Sequence, residues 1–163
     1  MDGILVESEK LRGAQREAAS APRVLLVEDN LVNQEVGKAM LRKLGYQVDV
    51  AEDGEAGVKA AFACHYDAVL MDCQMPNMDG FEATAQIRTR EAELRQDAPN
   101  DSARRIPIIA LTANAMKGDR ERCLAAGMDD YLAKPFNKEQ LSAVLERWTN
   151  VAGEPAPQSA SAA

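Results

Sequence analysis

Four consecutive apolar residues, Ala68-Val69-Leu70-Met71, stop at an acid, Asp72. A run this short, with no polar alternation, is the pattern of a strand covered on both faces, which means a parallel sheet between helical layers. An acid at its end sits where strand passes into loop. In open α/β sheets that carboxyl edge is where ligands bind, although aspartate is also a common turn former. Asp72 is therefore a turn residue or the centre of a site, and the rest of the chain decides between them.

The same design recurs. Arg23-Val24-Leu25-Leu26-Val27 is a second apolar run, ending in Glu28 and Asp29. Asn30 is placed to cap a helix whose apolar stripe is Val32, Val36, Met40 and Leu44, closed by Gly45. Gln47 to Ala51 alternates, the mark of an edge strand with one wet face. Asp53-Gly54 opens a helix that uses Ala56, Val58, Ala61 and Phe62. After the Asp72 strand, Pro76 and Asp79-Gly80 form a turn, and a helix from about Phe81 carries Ile87. From Arg90 to Arg105 the chain is densely charged and reads as a helix end running into a long solvated loop. Ile106 to Leu111 is a fourth apolar strand, ending at Thr112, with Pro107 tolerated at its start. A helix from about Asn114 stops at Gly127, and Asp130 to Ala133 is a short fifth strand ending at Lys134-Pro135. Asn137 and Gln140 have capping-box spacing ahead of a helix striped by Leu141, Val144, Leu145 and Trp148.

Five strand–helix alternations predict an α/β domain: a doubly wound, five-stranded parallel sheet with right-handed crossovers and helices on both faces. The second and fifth strands are the least continuously apolar and belong at the edges. Strand order 2-1-3-4-5, the flavodoxin-like arrangement, satisfies this and puts the switch point between strands one and three. The domain spans residues 23–149. Residues 1–22 are polar and Ala-rich and read as a linker or a signalling helix; residues 150–163, mostly Ala, Pro, Ser and Gly, read as a disordered tail or linker.

With 46% apolar residues among 163, the chain can bury one real core. A net charge of −7 argues against nucleic acid as a partner, and no apolar run reaches membrane-spanning length. Cys64, Cys73 and Cys123 lack metal or disulfide spacing and read as reduced cytoplasmic thiols. The lone His65 has no partners for a triad or metal site and reads as structural.

With strands one and three adjacent, Glu28, Asp29 and Asp72 converge at the switch point. Three carboxylates repel one another unless a cation fills the cluster, and hard oxygen donors favour Mg²⁺. Thr112 and Lys134 bring a hydroxyl and an ammonium to the same crevice. A carboxylate, Mg²⁺, a hydroxyl and a lysine suit phosphoryl transfer onto Asp72, giving an acyl phosphate without any histidine base.

These residues carry a family resemblance. Val27-Glu28-Asp29-Asn30, Met71 to Gly80, Ala110-Leu111-Thr112-Ala113 and Tyr131 to Phe136 resemble the receiver (response-regulator) domain of two-component signalling, over Val24 to Trp148. Asn30, Asn33-Gln34 and Leu44-Gly45 look most like receivers of hybrid sensor histidine kinases. The resemblance implies that Asp72 is the phosphoacceptor, and that Glu28, Asp29, Asp72 and the backbone carbonyl of Gln74 hold Mg²⁺. It implies that Thr112 and Lys134 grip the phosphoryl group and that Lys134-Pro135 is a cis peptide. Thr112 and Tyr131 match the family's switch pair, while a half-buried edge-strand aromatic is the plainer reading of Tyr131. Gln74 and Asn114 occupy positions that influence phosphate lifetime; as uncharged amides, neither is an evident base for water. The implied partners are a histidine kinase phosphodonor domain and a histidine phosphotransfer domain, with no nucleic acid and no membrane insertion of this segment. Such a domain catalyses its own phosphorylation and dephosphorylation.

Two other readings compete. A haloacid-dehalogenase-type phosphatase also phosphorylates a strand-end aspartate, but it wants an acid where Gln74 stands. A phosphate-independent receiver-like interaction module would keep the fold without the chemistry, and the intact acid pair, Thr112 and Lys134 speak against it. With no DNA-binding segment after Asn150, the expectation is a stand-alone receiver or a piece of a hybrid kinase, working in the cytoplasm.

Overall fold

A computed structural model of the chain describes residues 21–97, 105–113 and 117–149. The expected linker or signalling helix of residues 1–22 lies outside the described residues up to residue 20, as do the expected tail at 150–163 and Asn114. Five strands, β1 (Arg23–Val27), β2 (Gln47–Ala51), β3 (Ala68–Asp72), β4 (Ile108–Thr112) and β5 (Asp130–Ala133), alternate with five helices. The helices are α1 (Leu31–Lys43), α2 (Gly54–Ala63), α3 (Gly80–Asp97), α4 (Lys117–Ala125) and α5 (Lys138–Thr149). All strand pairs are parallel and the sheet order is β2-β1-β3-β4-β5, as the hydrophobic patterns require.

Side chains alternate across the sheet and divide the core in two. Leu25, Val27, Val69, Met71, Ile108 and Ala110 face Ala61, Ala83, Ile87 and Cys123 from α2, α3 and α4. Val24, Leu26, Leu70, Ile109 and Leu111 face Leu41 of α1 and Leu141, Val144 and Leu145 of α5. Every residue of β3 and β4 is buried, which explains why those runs carry no polar alternation.

Three local expectations need correction. In α1 the stripe Val32, Val36, Met40 and Leu44 is half on the core face: Met40 and Leu44 are partly buried against the core, while Val32 is 70% and Val36 48% exposed, and the fully buried residues are Gln34, Gly37 and Leu41. The reason is close approach, since a Cβ on Gly37 would lie 2.8 Å from Leu26 Cδ2. The helix therefore rests on its glycine in the middle, and Val32 and Val36 are turned outward. The charged stretch from Arg90 begins as the expected helix end, since α3 runs to Asp97, but it is less solvated than its charge suggests. Glu91 is buried there, paired with Arg88 at 2.7 Å and accepting the Ile106 N–H at 2.7 Å. Finally, β4 starts at Ile108, two residues later than the apolar run, and Pro107 precedes it.

The caps follow the sequence closely. Asn30 Oδ1 accepts the Asn33 N–H, and Asp53 Oδ1 accepts the Ala56 N–H. Asn137 and Gln140 exchange the two bonds of a capping box, at 2.8 and 3.0 Å. Gly45 and Gly127 both take positive φ after their helices. No described helix is long and apolar enough to cross a membrane.

Candidate functional site

Parallel pairing of β1 with β3 aligns Val27 with Met71, so the residues that follow, Glu28 and Asp72, emerge side by side at the carboxyl edge. Pairing of β4 with β5 aligns Thr112 with Ala133, which delivers Lys134 to the same edge. The Lys134 N–H donates to the Thr112 carbonyl at 2.7 Å. The sheet order alone thus collects residues from four strand ends.

Asp72 is 5% exposed. Its Oδ1 accepts the Gln74 N–H at 3.1 Å and lies 3.4 Å from Lys134 Nζ. Burial pushes its carboxyl up to about 6, a rise that the Gln74 N–H and the Lys134 ammonium oppose without cancelling. Glu28, 2% exposed, takes the closer ion pair, with its Oε2 2.9 Å from Lys134 Nζ. Burial works against its charge as well, but the Lys134 ammonium outweighs it and holds the carboxyl below the ordinary value. Lys134 titrates above its ordinary range, because its two carboxylate partners outweigh the cost of its own burial.

Glu28, Asp29 and Asp72 each offer one carboxylate oxygen within 4.8 Å of the others. Two of these acids are buried and Asp29 is exposed, so one side of the cluster is open to water. The donor set fits a hard divalent cation such as Mg²⁺, which takes one or two carboxylates and keeps several waters. Thr112, 7% exposed, lines a neighbouring cavity of about 400 Å³ with Cys73, Gln74, Phe81 and Arg122. Tyr131 stands in β5 beside Ala110, half-buried, with the Arg120 guanidinium 5.7 Å from its ring centre. Gln74 is exposed next to Asp72, and Lys134-Pro135 is cis.

The loop after β3 is built tightly. Met78 N–H returns to the Pro76 carbonyl at 2.8 Å, and Asn77 between them takes φ 70°, which asparagine tolerates. Gly80 has no room for a side chain, since a Cβ there would strike the Asp72 carbonyl oxygen.

Of the expected site residues, Glu28, Asp29, Asp72 and Lys134 come together, with Thr112 and Gln74 at their margin. Sequence reasoning missed the function of Gln34, which is buried and donates from Nε2 to the Glu28 carbonyl at 2.7 Å. The signal was present as a polar residue sharing the Gly37 and Leu41 face of α1, but no hydropathy pattern selects it. Cys73 and Cys123 are buried, and burial pushes both thiols up from their ordinary value, while Cys64 is exposed.

The model of the response regulator receiver domain matches residues 24–146. The sensor protein GacS of Pseudomonas syringae is 44% identical over 142 residues, which cover 86% of this chain but only 15% of that protein. Among solved structures, the receiver domain of a Pseudomonas aeruginosa sensor histidine kinase, with magnesium coordinated in its active site cleft, is 51% identical. It superposes with a TM-score of 0.68, covering 80% of this chain and 99% of that one. The receiver domain of the Saccharomyces cerevisiae response regulator Ssk1, in co-crystals with the histidine phosphotransfer protein Ypd1, is 32% identical with a TM-score of 0.69. That match covers 80% of this chain and 90% of that one. Fold, strand-end residues and relatives agree that the chain belongs to the response regulator receiver family.

Proposed function

We propose that residues 23–149 act as a phosphoacceptor in a His-Asp phosphorelay, and that residues 1–22 and 150–163 are flanking linkers. The observation that carries this reading is the setting of Asp72, a buried carboxylate 3.4 Å from Lys134 and part of a three-acid cluster. An Asp72 Oδ attacks the phosphorus of a phosphohistidine in line. The O–P bond forms as the N–P bond breaks, and the imidazole, already carrying a proton on its other ring nitrogen, leaves as the neutral ring with the N–P electron pair. Lys134 offsets charge on the equatorial oxygens, and the Thr112 hydroxyl donates to one of them. Mg²⁺, held by Glu28, Asp29, Asp72 and the Gln74 carbonyl, would supply further charge neutralisation on those oxygens.

Once Thr112 is drawn to the phosphate, Tyr131 fills the vacated space, and the surface of α4 and β5 reports the change. Gln74 and Asn114 tune how readily water reaches the acyl phosphate. The domain thus catalyses its own phosphorylation and dephosphorylation within a larger hybrid histidine kinase of the cytoplasm, itself membrane-anchored in some settings.

A histidine phosphotransfer domain is the fitting partner. Leu31, Val32 and Val36 are exposed on α1, beside a groove of about 290 Å³ lined by Leu26, Met40, Lys134 and Phe136. A partner helix laid on this face would bring its histidine to the Asp72 edge. The decisive experiment is intact mass after incubation with a small phosphodonor and Mg²⁺, then with a phosphorylated histidine domain. One hydroxylamine-labile phosphoryl group, absent from Asp72→Asn and absent without Mg²⁺, is expected. No uptake from either donor would return the domain to a phosphate-independent interaction module.

A further inference from the structure

Glu28 is held at every polar atom. Its N–H donates to the Ala51 carbonyl at 3.0 Å, and its own carbonyl accepts Gln34 Nε2 at 2.7 Å. Its Oε1 accepts the Asn30 N–H at 3.2 Å and, at a longer 3.4 Å, Asn33 Nδ2, while Oε2 takes Lys134 Nζ at 2.9 Å. Two of these donors, Asn33 and Gln34, come from the first turns of α1. Gln34 is only 6% exposed and stands on the helix face that otherwise carries Gly37 and Leu41. An apolar side chain buried there would need no partner of its own, whereas an amide in this place needs one. Its partner is the first carbonyl beyond β1, where the chain has left the ladder and turns toward α1.

We propose that Gln34 is a positioning residue for the acid pair: by pinning the Glu28 carbonyl to α1, it fixes the path of the chain through Glu28 and Asp29, and so sets the metal-binding carboxylates against Asp72. Asp29 is exposed, so the backbone on either side of it governs where its carboxylate stands. Asn33 adds a weaker tie on the Glu28 carboxylate itself. The inference rests on the receiver reading of the site, and it goes beyond that reading by assigning the residue that shapes it.

The test is Mg²⁺ titration of the whole chain by calorimetry, with urea unfolding in parallel. Gln34→Met keeps the volume and removes the donor; Gln34→Asn keeps the amide but is too short to reach. Both should raise the Mg²⁺ Kd roughly tenfold, the usual effect of losing a group that orients a metal ligand. Val144→Ala, in α5, should lower stability and leave Kd unchanged. An unchanged Kd in the Gln34 variants, with stability lost, would make the residue merely structural and overturn the proposal. In the wild type, the Gln34 side-chain amide should exchange slowly with solvent and shift on Mg²⁺ addition; an unresponsive amide overturns it without any variant. A wild type that binds no Mg²⁺ would instead sink the receiver reading, and this inference with it.

Discussion

Lys134 Nζ lies 3.4 Å from Asp72 Oδ1 and, with the same ammonium, 2.9 Å from Glu28 Oε2. One cation therefore serves two buried carboxylates. It neutralises Glu28 fully enough to depress its carboxyl, and Asp72 only partly, so that burial prevails there. Asp72 is thus left as the more basic of the two oxygen donors, which suits a nucleophile better than a spectator acid.

Replacing Lys134 should separate these duties. Lys134→Met leaves Glu28 buried and unpaired, and loss of one partner from a buried pair costs about 3–5 kcal/mol. Because the Lys134 side chain is 25% exposed, the expected loss at pH 7 is smaller, about 2 kcal/mol. Glu28 has its pKa depressed by folding, so this contribution is present above the unfolded value and is lost as pH falls through the folded one. Urea midpoints should therefore converge with the wild type in acid. Phosphoryl uptake should slow by about tenfold, less than loss of a donor in a sealed oxyanion hole, because this cleft is open.

Asp72 behaves in the opposite sense. Its carboxyl is raised by burial to about 6, from 3.8 in the unfolded chain. Between these values the folded protein holds a proton that the unfolded chain has released, so stability falls as pH rises through that window. The difference corresponds to about 3 kcal/mol lost above it. Without divalent metal, Asp72→Asn should be more stable than the wild type at pH 7.5, and the gain should shrink to nothing near pH 4. Adding Mg²⁺ should raise the wild-type midpoint and leave the variant where it is. A variant no more stable than the wild type at pH 7.5 would contradict the burial argument.

Gly80 offers a steric test of the loop that carries Asp72 into α3. A methyl group there meets backbone, the Asp72 carbonyl and Cys73 Cα, and cannot be accommodated by turning a side chain. Gly80→Ala should cost about 3 kcal/mol or more and weaken Mg²⁺ binding. At Gly118, in α4, an added methyl meets nothing within 4 Å, so Gly118→Ala should be neutral or stabilising by about 0.5 kcal/mol. Thermal unfolding of both variants checks the contrast.

The strands were readable because a run such as Ala68 to Met71 states its burial directly, and the edges were readable because β2 and β5 lack such runs. The face of α1 was not. Its contact with the sheet is made by Leu41 together with a glycine and an amide, Gly37 and Gln34, neither of which registers in an apolar stripe, while Val32 and Val36 do and are exposed. Glu91 shows the same blindness, since its burial depends on Arg88 and on the Ile106 N–H across the sheet edge. At the site, each acid was visible as the residue ending a strand. Which acid Lys134 would grip was not, because the two lie 106 positions apart and only the assembled sheet decides the distance.

The outward apolar face of α1 leads to the last expectation. Leu31 and Val32 are 70% exposed and Val36 48%, so they contribute little to the core and a charge there should change stability by less than about 0.5 kcal/mol. The polar partners of the Glu28 and Asp72 carboxylates are Asn30, Asn33, Gln74 and Lys134, so uptake from a small phosphodonor should stay at the wild-type rate. Transfer from a phosphorylated histidine domain requires a docked partner, and burying a new carboxylate in an apolar interface without a counter-ion is costly. Val32→Asp combined with Val36→Asp should therefore slow transfer from the histidine domain by about 100-fold, the effect of losing roughly 3 kcal/mol of binding. Stopped-flow or gel-based phosphotransfer against both donors separates the outcomes. Loss with both donors would place these residues in the chemistry, and loss with neither would move the docking face elsewhere on the domain.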